Sequence, residues 1–209
     1  MPSVDRSDEL GRRDRKKLET RAALERAALR LVAERGLAGV TVEDIAEAVD
    51  VSSRTFFNYF PSKEDALMGE DPGGETDLRA RLAAVPAAAP ALEALRLVLR
   101  EEAERVQGQR EQWLLRLKVF EQNPSLLPRL VAGGTKAERS LTAAVVERLG
   151  AGPAAESHAQ LVTAMAMTAF RVALMRWSAA GGEPMLTDLL DDAFSRLAAG
   201  LPDPGPSAH

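Results

Sequence analysis

Apolar residues recur at intervals of three and four along most of the chain, a spacing that predicts helices. The first run begins at Arg15 and stops at Gly36 and Gly39. Later runs cover about 76–85, 90–107, 109–122, 125–132, 135–149, 154–180 and 185–199, with glycines or prolines between them. Aromatic residues make up only 4% of the chain. Strand formers are therefore scarce, and an all-α fold is predicted.

The segment Thr41–Lys63, TVEDIAEAVDVSSRTFFNYFPSK, predicts two short helices joined by a tight turn at Asp50-Val51. A hydroxyl residue precedes each helix in this region, as N-caps commonly do: Thr41, Ser52 and Ser62. Two of these caps are followed three residues later by Asp44 or Asp65, a near match to a capping box. This is the layout of a helix-turn-helix, whose second helix enters the major groove of DNA.

The second short helix has two different faces. Phe56 and Phe60 are four residues apart and are expected to pack against Ile45, Ala46 and the first helix. The opposite side carries groups that can read base edges, namely Ser53, Arg54, Phe57 and Asn58. Residues placed to hold phosphates are Thr41, Tyr59, Ser62 and Lys63, although Thr41 and Ser62 can serve only as caps and Tyr59 only as a packing residue.

The net charge of −4 does not by itself favour a nucleic-acid partner, but the distribution of charge does. Residues 11–35 hold nine Lys or Arg against four acids, whereas residues 68–209 hold 15 basic and 18 acidic residues. A basic N-terminal region on an acidic body would direct one end of the molecule towards a polyanion. A solvated helix face with mixed charges explains the count equally well.

Enzyme chemistry is not indicated, and no cofactor or metal site is expected. There is no Cys, only two His, and neither HExxH nor GxSxG nor a phosphate-binding glycine loop followed by Lys. No run of about 20 apolar residues predicts a membrane span. The polar N-terminus is unlike a signal peptide, so a cytoplasmic protein is expected.

The run AALRLVAERGLAGVTVEDIAEAVDVSSRTFFNYFPSKEDAL, residues 27–67, resembles the N-terminal domain of the TetR family of bacterial transcriptional regulators. The resemblance implies a double-stranded DNA operator as partner. It also implies that bases are read by Ser53, Arg54, Thr55 and Phe57. The residues implied to hold the DNA backbone are Thr41, Asn58, Tyr59 and Lys63, and Asn58 is also able to read a base.

The resemblance implies about nine helices in two domains. These are an N-terminal three-helix helix-turn-helix DNA-binding domain (15–69) and a C-terminal helical domain for ligand binding and dimerisation (76–200). A basic arm (1–14) and a tail (201–209) are expected to be disordered. The Gly69–Glu75 segment, GEDPGGE, is expected to cut the fourth helix short or to add a loop, whereas in the family this helix usually runs on into the ligand domain.

Two apolar stripes near the C-terminus suggest a homodimer of four packed helices, two from each subunit. The last helix carries Leu186, Leu190, Ala193, Phe194, Leu197 and Leu201, and the long helix before it carries Leu161, Met165, Ala169, Val172 and Arg176. Both stripes can instead serve the intrachain core. A single short recognition helix binds weakly, so a dimer that reads two half-sites is expected on mechanical grounds.

Met and aromatic residues at helical spacing suggest a pocket for a small apolar effector: Trp113, Leu117, Phe120, Met165, Met167, Phe170 and Trp177. The same residues can be plain core. The RTFF motif together with NPSLLPRL is similar to a subgroup suspected of binding acyl-thioesters. A drug-like or other lipophilic ligand fits equally well. The expected function is a repressor released from a pseudo-palindromic operator by a small apolar or acyl-type ligand. A ligand-dependent activator and a helical protein that sequesters a lipophilic ligand are the alternatives.

Overall fold

The computed structural model describes residues 5–69, 74–150 and 152–201. Within these ranges the chain forms ten α-helices and no strand, which confirms the all-α prediction. The helices are α1 (Asp5–Arg35), α2 (Val42–Glu47), α3 (Ser53–Phe57), α4 (Lys63–Met68), α5 (Gly74–Ala84), α6 (Ala91–Gly108), α7 (Arg110–Gln122), α8 (Leu127–Leu149), α9 (Pro153–Ala179) and α10 (Leu186–Ala198). Two 3-10 turns, Leu37–Gly39 and Pro124–Leu126, precede α2 and α8.

The chain divides into two compact units. The first unit comprises residues 1–70 and 115–130, and the second comprises residues 71–114 and 131–209. Residues 115–130 were expected within the 76–200 domain, but they pack with the first unit because Val119, Phe120 and Leu126 join its hydrophobic core.

The core of the first unit is built from α1 to α4 and residues 115–130. Its fully buried side chains include Leu24, Ile45 and Leu67, together with both Phe56 and Phe60. The rings of Phe56 and Phe60 lie 5.6 Å apart between centroids. The prediction that these two phenylalanines pack inward is therefore confirmed.

Helix α1 begins at Asp5, so residues 5–14 are helical. This differs from the expectation that they are disordered. This stretch, DRSDELGRRD, consists mostly of Arg and Asp, with one Glu, one Leu and no proline. Arg, Glu and Leu are good helix formers, and a helix that is already nucleated can continue through such residues. Residues 1–4 and 202–209, which complete the expected arm and tail, lie outside the described residues.

Helix α4 ends at Met68, because Gly69 takes a left-handed conformation with φ of +67°. Glycine is the residue that most readily adopts this conformation and commonly terminates helices. The predicted shortening of the fourth helix is thus observed. Of the Gly69–Glu75 loop, residues 70–73 lie outside the described residues, and α5 begins at Gly74.

Helix α8 runs without a break through Gly133 and Gly134, where a break was predicted. Neither glycine has a positive φ, whereas Gly150 and Gly152, which separate α8 from α9, both do. A glycine inside a helix costs only about 1 kcal/mol relative to alanine. The burial of Leu141, Ala144 and Val145, further along α8, can offset this cost.

The second unit has its core among α6, α9 and α10, with contributions from α5 and α8. Trp177 is a fully buried member of this apolar cluster. Polar contacts tie α6 to α10, since Arg96 and Arg100 both bind Asp191. None of the helices in the described ranges combines the length and apolar character needed to cross a bilayer.

Candidate nucleic-acid interface

The start of α2 is fixed by a complete capping box. The Thr41 hydroxyl and backbone N–H both donate to Asp44 Oδ2, at 2.6 and 2.7 Å, and Asp44 N–H donates to Thr41 Oγ1 at 3.1 Å. These bonds, the hydroxyl first, hold the pKa of the Asp44 carboxyl below its usual 3.8, with a further lowering by Arg35 that partial burial opposes. The capping prediction for this helix is confirmed.

The turn between α2 and α3 is centred on Asp50, which has a φ of +56°. Aspartate tolerates this left-handed conformation better than most non-glycine residues. Ser52 then caps α3 by accepting the Thr55 N–H at 3.1 Å. The helix that follows has only five residues, so its position depends on the contacts that hold it.

The outer side of α3 exposes three of the side chains that were expected to meet DNA. Arg54 and Asn58 are exposed, and Phe57 is 55% exposed while its ring meets Phe56 edge-on. Ser53 is half-buried. The Thr55 hydroxyl is 2.9 Å from Ser52 Oγ, so this residue takes part in the cap.

The C-terminal end of α3 is held from α1 by Arg21. Arg21 Nη1 donates to the Tyr59 carbonyl at 2.9 Å, and the guanidinium lies 4.2 Å from the centroid of the Phe60 ring. Tyr59 itself is half-buried. The backbone at Tyr59 is therefore fixed by a charged group that does not belong to the helix-turn-helix.

Lys63 has a role that its sequence position does not reveal. Its ammonium donates to the carbonyls of Leu37 and Val40, at 2.7 and 2.6 Å. Two of the three N–H groups of the ammonium thus fasten the segment that leads into Thr41. Within the part of the chain that the structure describes, these carbonyls account for two of its three donors.

The residues expected to form a ligand pocket do not lie together in one unit. Phe120 is buried in the core of the first unit, and the half-buried Leu117 belongs to the same unit. The others belong to the second unit, where Trp113, Met167, Phe170 and Trp177 share one apolar cluster and Met165 lines an outer groove.

The predicted dimer stripes on α9 and α10 are each divided between core and surface. Leu186, Leu190 and Phe194 are buried within the chain, whereas Leu161 and Val172 are 62% and 41% exposed. Between the two helices runs an open, mainly apolar groove of about 430 Å³. Its lining includes Met165, Ala169, Val172, Arg176, Ala193, Leu197 and Leu201.

Comparison with known proteins accounts for both units. Residues 25–67 match the family profile described as bacterial regulatory proteins, tetR family, and residues 89–202 match that of the MftR C-terminal domain. The HTH-type transcriptional regulator TcmR of Streptomyces glaucescens is 32% identical over 175 residues, which is 80% of this chain and 76% of TcmR. The chain belongs to the TetR family. It is accordingly a TetR-family transcriptional regulator, with a DNA-binding helix-turn-helix and a C-terminal ligand-binding domain.

Solved structures of similar fold include three regulators named FadR. The protein from Thermus thermophilus, in complex with lauroyl-CoA, is 23% identical with a TM-score of 0.53, over 90% of this chain and 98% of that chain. The Bacillus halodurans protein is 20% identical with a TM-score of 0.59, over 87% and 96%. The Bacillus subtilis protein, in complex with stearoyl-CoA, is 19% identical with a TM-score of 0.58, over 86% and 98%. These likenesses support the TetR fold.

Arg116 is a further polar residue of this TetR regulator whose structural role was not identified from the sequence. Arg116 on α7 is only 3% exposed, and its pKa is lowered by burial, with Glu25 acting in the opposite direction. A usable signal was present, because Arg116 shares a helical face with Trp113 and Phe120. A charged residue on an apolar face must have polar partners.

Replacing Thr41 with Val should raise the pKa of the Asp44 carboxyl towards 3.8, because the hydroxyl that stabilises the carboxylate is lost. A folded-state pKa below the unfolded value means that Asp44 stabilises the fold above the unfolded pKa. This contribution is lost as the pH falls through the folded pKa. Carboxyl NMR titration measures the shift, and Thr135→Val, which removes another exposed hydroxyl, is the control. An unchanged Asp44 pKa in Thr41→Val would contradict the assignment.

Proposed function

We propose that this regulator is a repressor that binds a pseudo-palindromic operator as a homodimer and leaves it when an apolar or acyl-type ligand binds the C-terminal domain. The observation that carries the proposal is the outer side of α3. Arg54, Phe57 and Asn58 extend from a backbone that is anchored by buried rings on its other side. Such a short, rigidly held helix suits insertion into a major groove.

The exposed groups suit different parts of the DNA. Among the described residues, neither Arg54 nor Asn58 has a side-chain hydrogen bond or ion pair, so both are available to base edges. Arg54 is assigned to base reading with Ser53, Thr55 and Phe57, and Asn58 to phosphates or an adenine. Phosphate contacts are assigned to Thr41, Tyr59 and Lys63, for which the third donor of the Lys63 ammonium gives support.

Replacing Arg54 with Ala should cost about 1–3 kcal/mol of operator affinity and relax the base preference at one position of each half-site. The operator is first obtained by selection from random duplex DNA. Arg139→Ala removes the same charge from an exposed position on α8 and should leave the selected sequence unchanged. If Arg54→Ala selected the wild-type sequence with unchanged stringency, its base-reading role would be wrong.

In contrast, Lys63→Met should weaken binding to all sequences and reduce the salt slope by about one.

The α9–α10 groove is our candidate for the dimer surface. Helix α9 also carries the exposed apolar side chains of Leu161 and Met175, at 62% and 60%, besides Val172, which lines the groove. Isolated exposed apolar residues are normal, but several along one helix beside an apolar groove favour a protein interface. TetR regulators act as dimers, and a two-fold axis would present two copies of α3 to the two half-sites.

A charge placed in this groove should separate the subunits. Val172→Asp is expected to give a monomer in sedimentation equilibrium at micromolar concentration and to bind the operator far more weakly. Leu149→Asp on α8 is the matched control, because Leu149 and Val172 are 42% and 41% exposed. A Val172→Asp protein that remained dimeric would remove this groove from the proposal.

The proposed effector site lies in the apolar cluster of the second unit that contains Trp113, Met167, Phe170 and Trp177. Two buried polar atoms of α9, Trp177 Nε1 and Thr163 Oγ1, have no hydrogen-bond partner among the described residues. A buried polar group without a partner is costly, and a ligand acceptor group would relieve that cost. Acyl chains suit the apolar surroundings, and the acyl-CoA bound to two FadR structures provides a probe.

Lauroyl-CoA should change the intrinsic fluorescence and lower operator affinity about 5- to 150-fold. The chain has two tryptophans, and both belong to the proposed site, so emission reports on it directly. Trp177→Phe keeps a ring but removes the N–H, and should weaken binding about fivefold, the value of one hydrogen bond. Free coenzyme A is the control for the head group. Unchanged fluorescence and unchanged operator affinity at saturating lauroyl-CoA would exclude this effector class.

A further inference from the structure

A buried guanidinium holds the end of α4. Arg116, on α7, donates from Nε to the Leu67 carbonyl at 3.0 Å, and its Nη2 lies 3.7 Å from Glu25 Oε2 on α1. All of these residues belong to the first unit. Burying a charged group is costly unless it is paired, so these partners fix where Arg116 can lie.

The backbone around Arg116 is shaped to admit it. A Cβ atom added at Gly69 would overlap the guanidinium carbon and both terminal nitrogens of Arg116. Gly69 therefore has two reasons to be glycine, namely its left-handed φ of +67° and this close approach. The fit indicates that the backbone at Gly69 leaves a specific buried site for the Arg116 guanidinium.

Glu25 connects this buried site to the recognition helix α3. The same carboxylate lies 3.3 Å from Arg21 Nε, and Arg21 in turn donates to the Tyr59 carbonyl and covers the Phe60 ring. One carboxylate thus holds two guanidinium groups. One of them fixes the end of α4, and the other fixes the end of α3. We call Arg21, Glu25 and Arg116 the Glu25 cluster.

We propose that the Glu25 cluster is a positioning device for operator binding, and that Arg116 sets operator affinity through Tyr59 without touching DNA. The inference rests on the proposed function as a DNA-binding repressor. Removing Arg116 leaves Glu25 with Arg21 as its remaining cationic partner in the cluster. The carboxylate and Arg21 then rearrange, and the Tyr59 backbone moves with Arg21.

The test uses full-length Arg116→Met, Arg116→Lys and Glu25→Gln proteins. Lys118→Met is the control, since Lys118 is exposed on the same helix and loses the same charge. Tyr59 is the one tyrosine of the chain, so fluorotyrosine labelling gives a single ¹⁹F signal from it. We expect Arg116→Met and Glu25→Gln to shift this signal in the absence of DNA, and Lys118→Met to leave it in place.

Operator affinity is then measured over a range of salt, at a temperature where circular dichroism shows each variant folded. Arg116→Met should bind the selected operator about tenfold more weakly, within the usual range of coupling between distant sites. Its salt slope should equal that of the wild type, because no phosphate contact is lost. Arg116→Lys keeps a positive charge for Glu25 but loses the Nε donor. Its operator affinity should therefore lie between those of the wild type and Arg116→Met. The Arg116→Met/Glu25→Gln double variant should bind no more weakly than the worse single variant.

Three outcomes would overturn the inference. A folded Arg116→Met protein with wild-type affinity and an unshifted Tyr59 signal would make Arg116 merely structural. A salt slope lower by about one would make it a direct phosphate contact. If the wild type selected no DNA sequence, the proposed function would fail and this inference with it. If Arg116→Met does not fold, the Tyr59 signal and the operator affinity of Glu25→Gln and Arg116→Lys test the inference instead.

Discussion

A helix of five residues cannot hold itself together, and this constraint governs the first unit. Nucleation costs more than so few hydrogen bonds return, so α3 exists only because other parts of the chain fix it. Its inner side is fixed by Phe56, its start by Ser52 and its end by Arg21. The helix that is to meet DNA is thus the part of the unit that depends most on its neighbours.

The same dependence explains why a distant segment completes the first unit. Helix α4 has six residues, and residues 115–130 hold it at both ends. Arg129 binds Asp65 in its first turn, and Arg116 binds the Leu67 carbonyl in its last. Val119 and Phe120 close the core between the two polar contacts. A helix-turn-helix cut from the chain at Gly69 would lack all of these groups.

An interaction could be predicted from the sequence when its two residues are close together in the chain. The caps at Thr41, Ser52 and Ser62 involve partners three residues away, so the pattern alone located them. Lys63 and Arg116 bind carbonyls 23 to 49 residues distant, and the sequence does not encode such pairs locally. Glycine was ambiguous for a different reason. Helix α4 ends at Gly69, where φ is positive, whereas α8 passes through Gly133, where φ is not positive.

At α3 the anchoring groups are separate from the groups proposed to read DNA, and this has an evolutionary consequence. Tyr59 is anchored through its backbone carbonyl, which every amino acid possesses, and Arg54 and Asn58 have no side-chain partner among the described residues. If Arg54 and Asn58 read bases as proposed, mutations at these outward positions can change which DNA is recognised at little cost in stability. A duplicated copy of such a gene could acquire a new target by a few substitutions while its scaffold stayed the same.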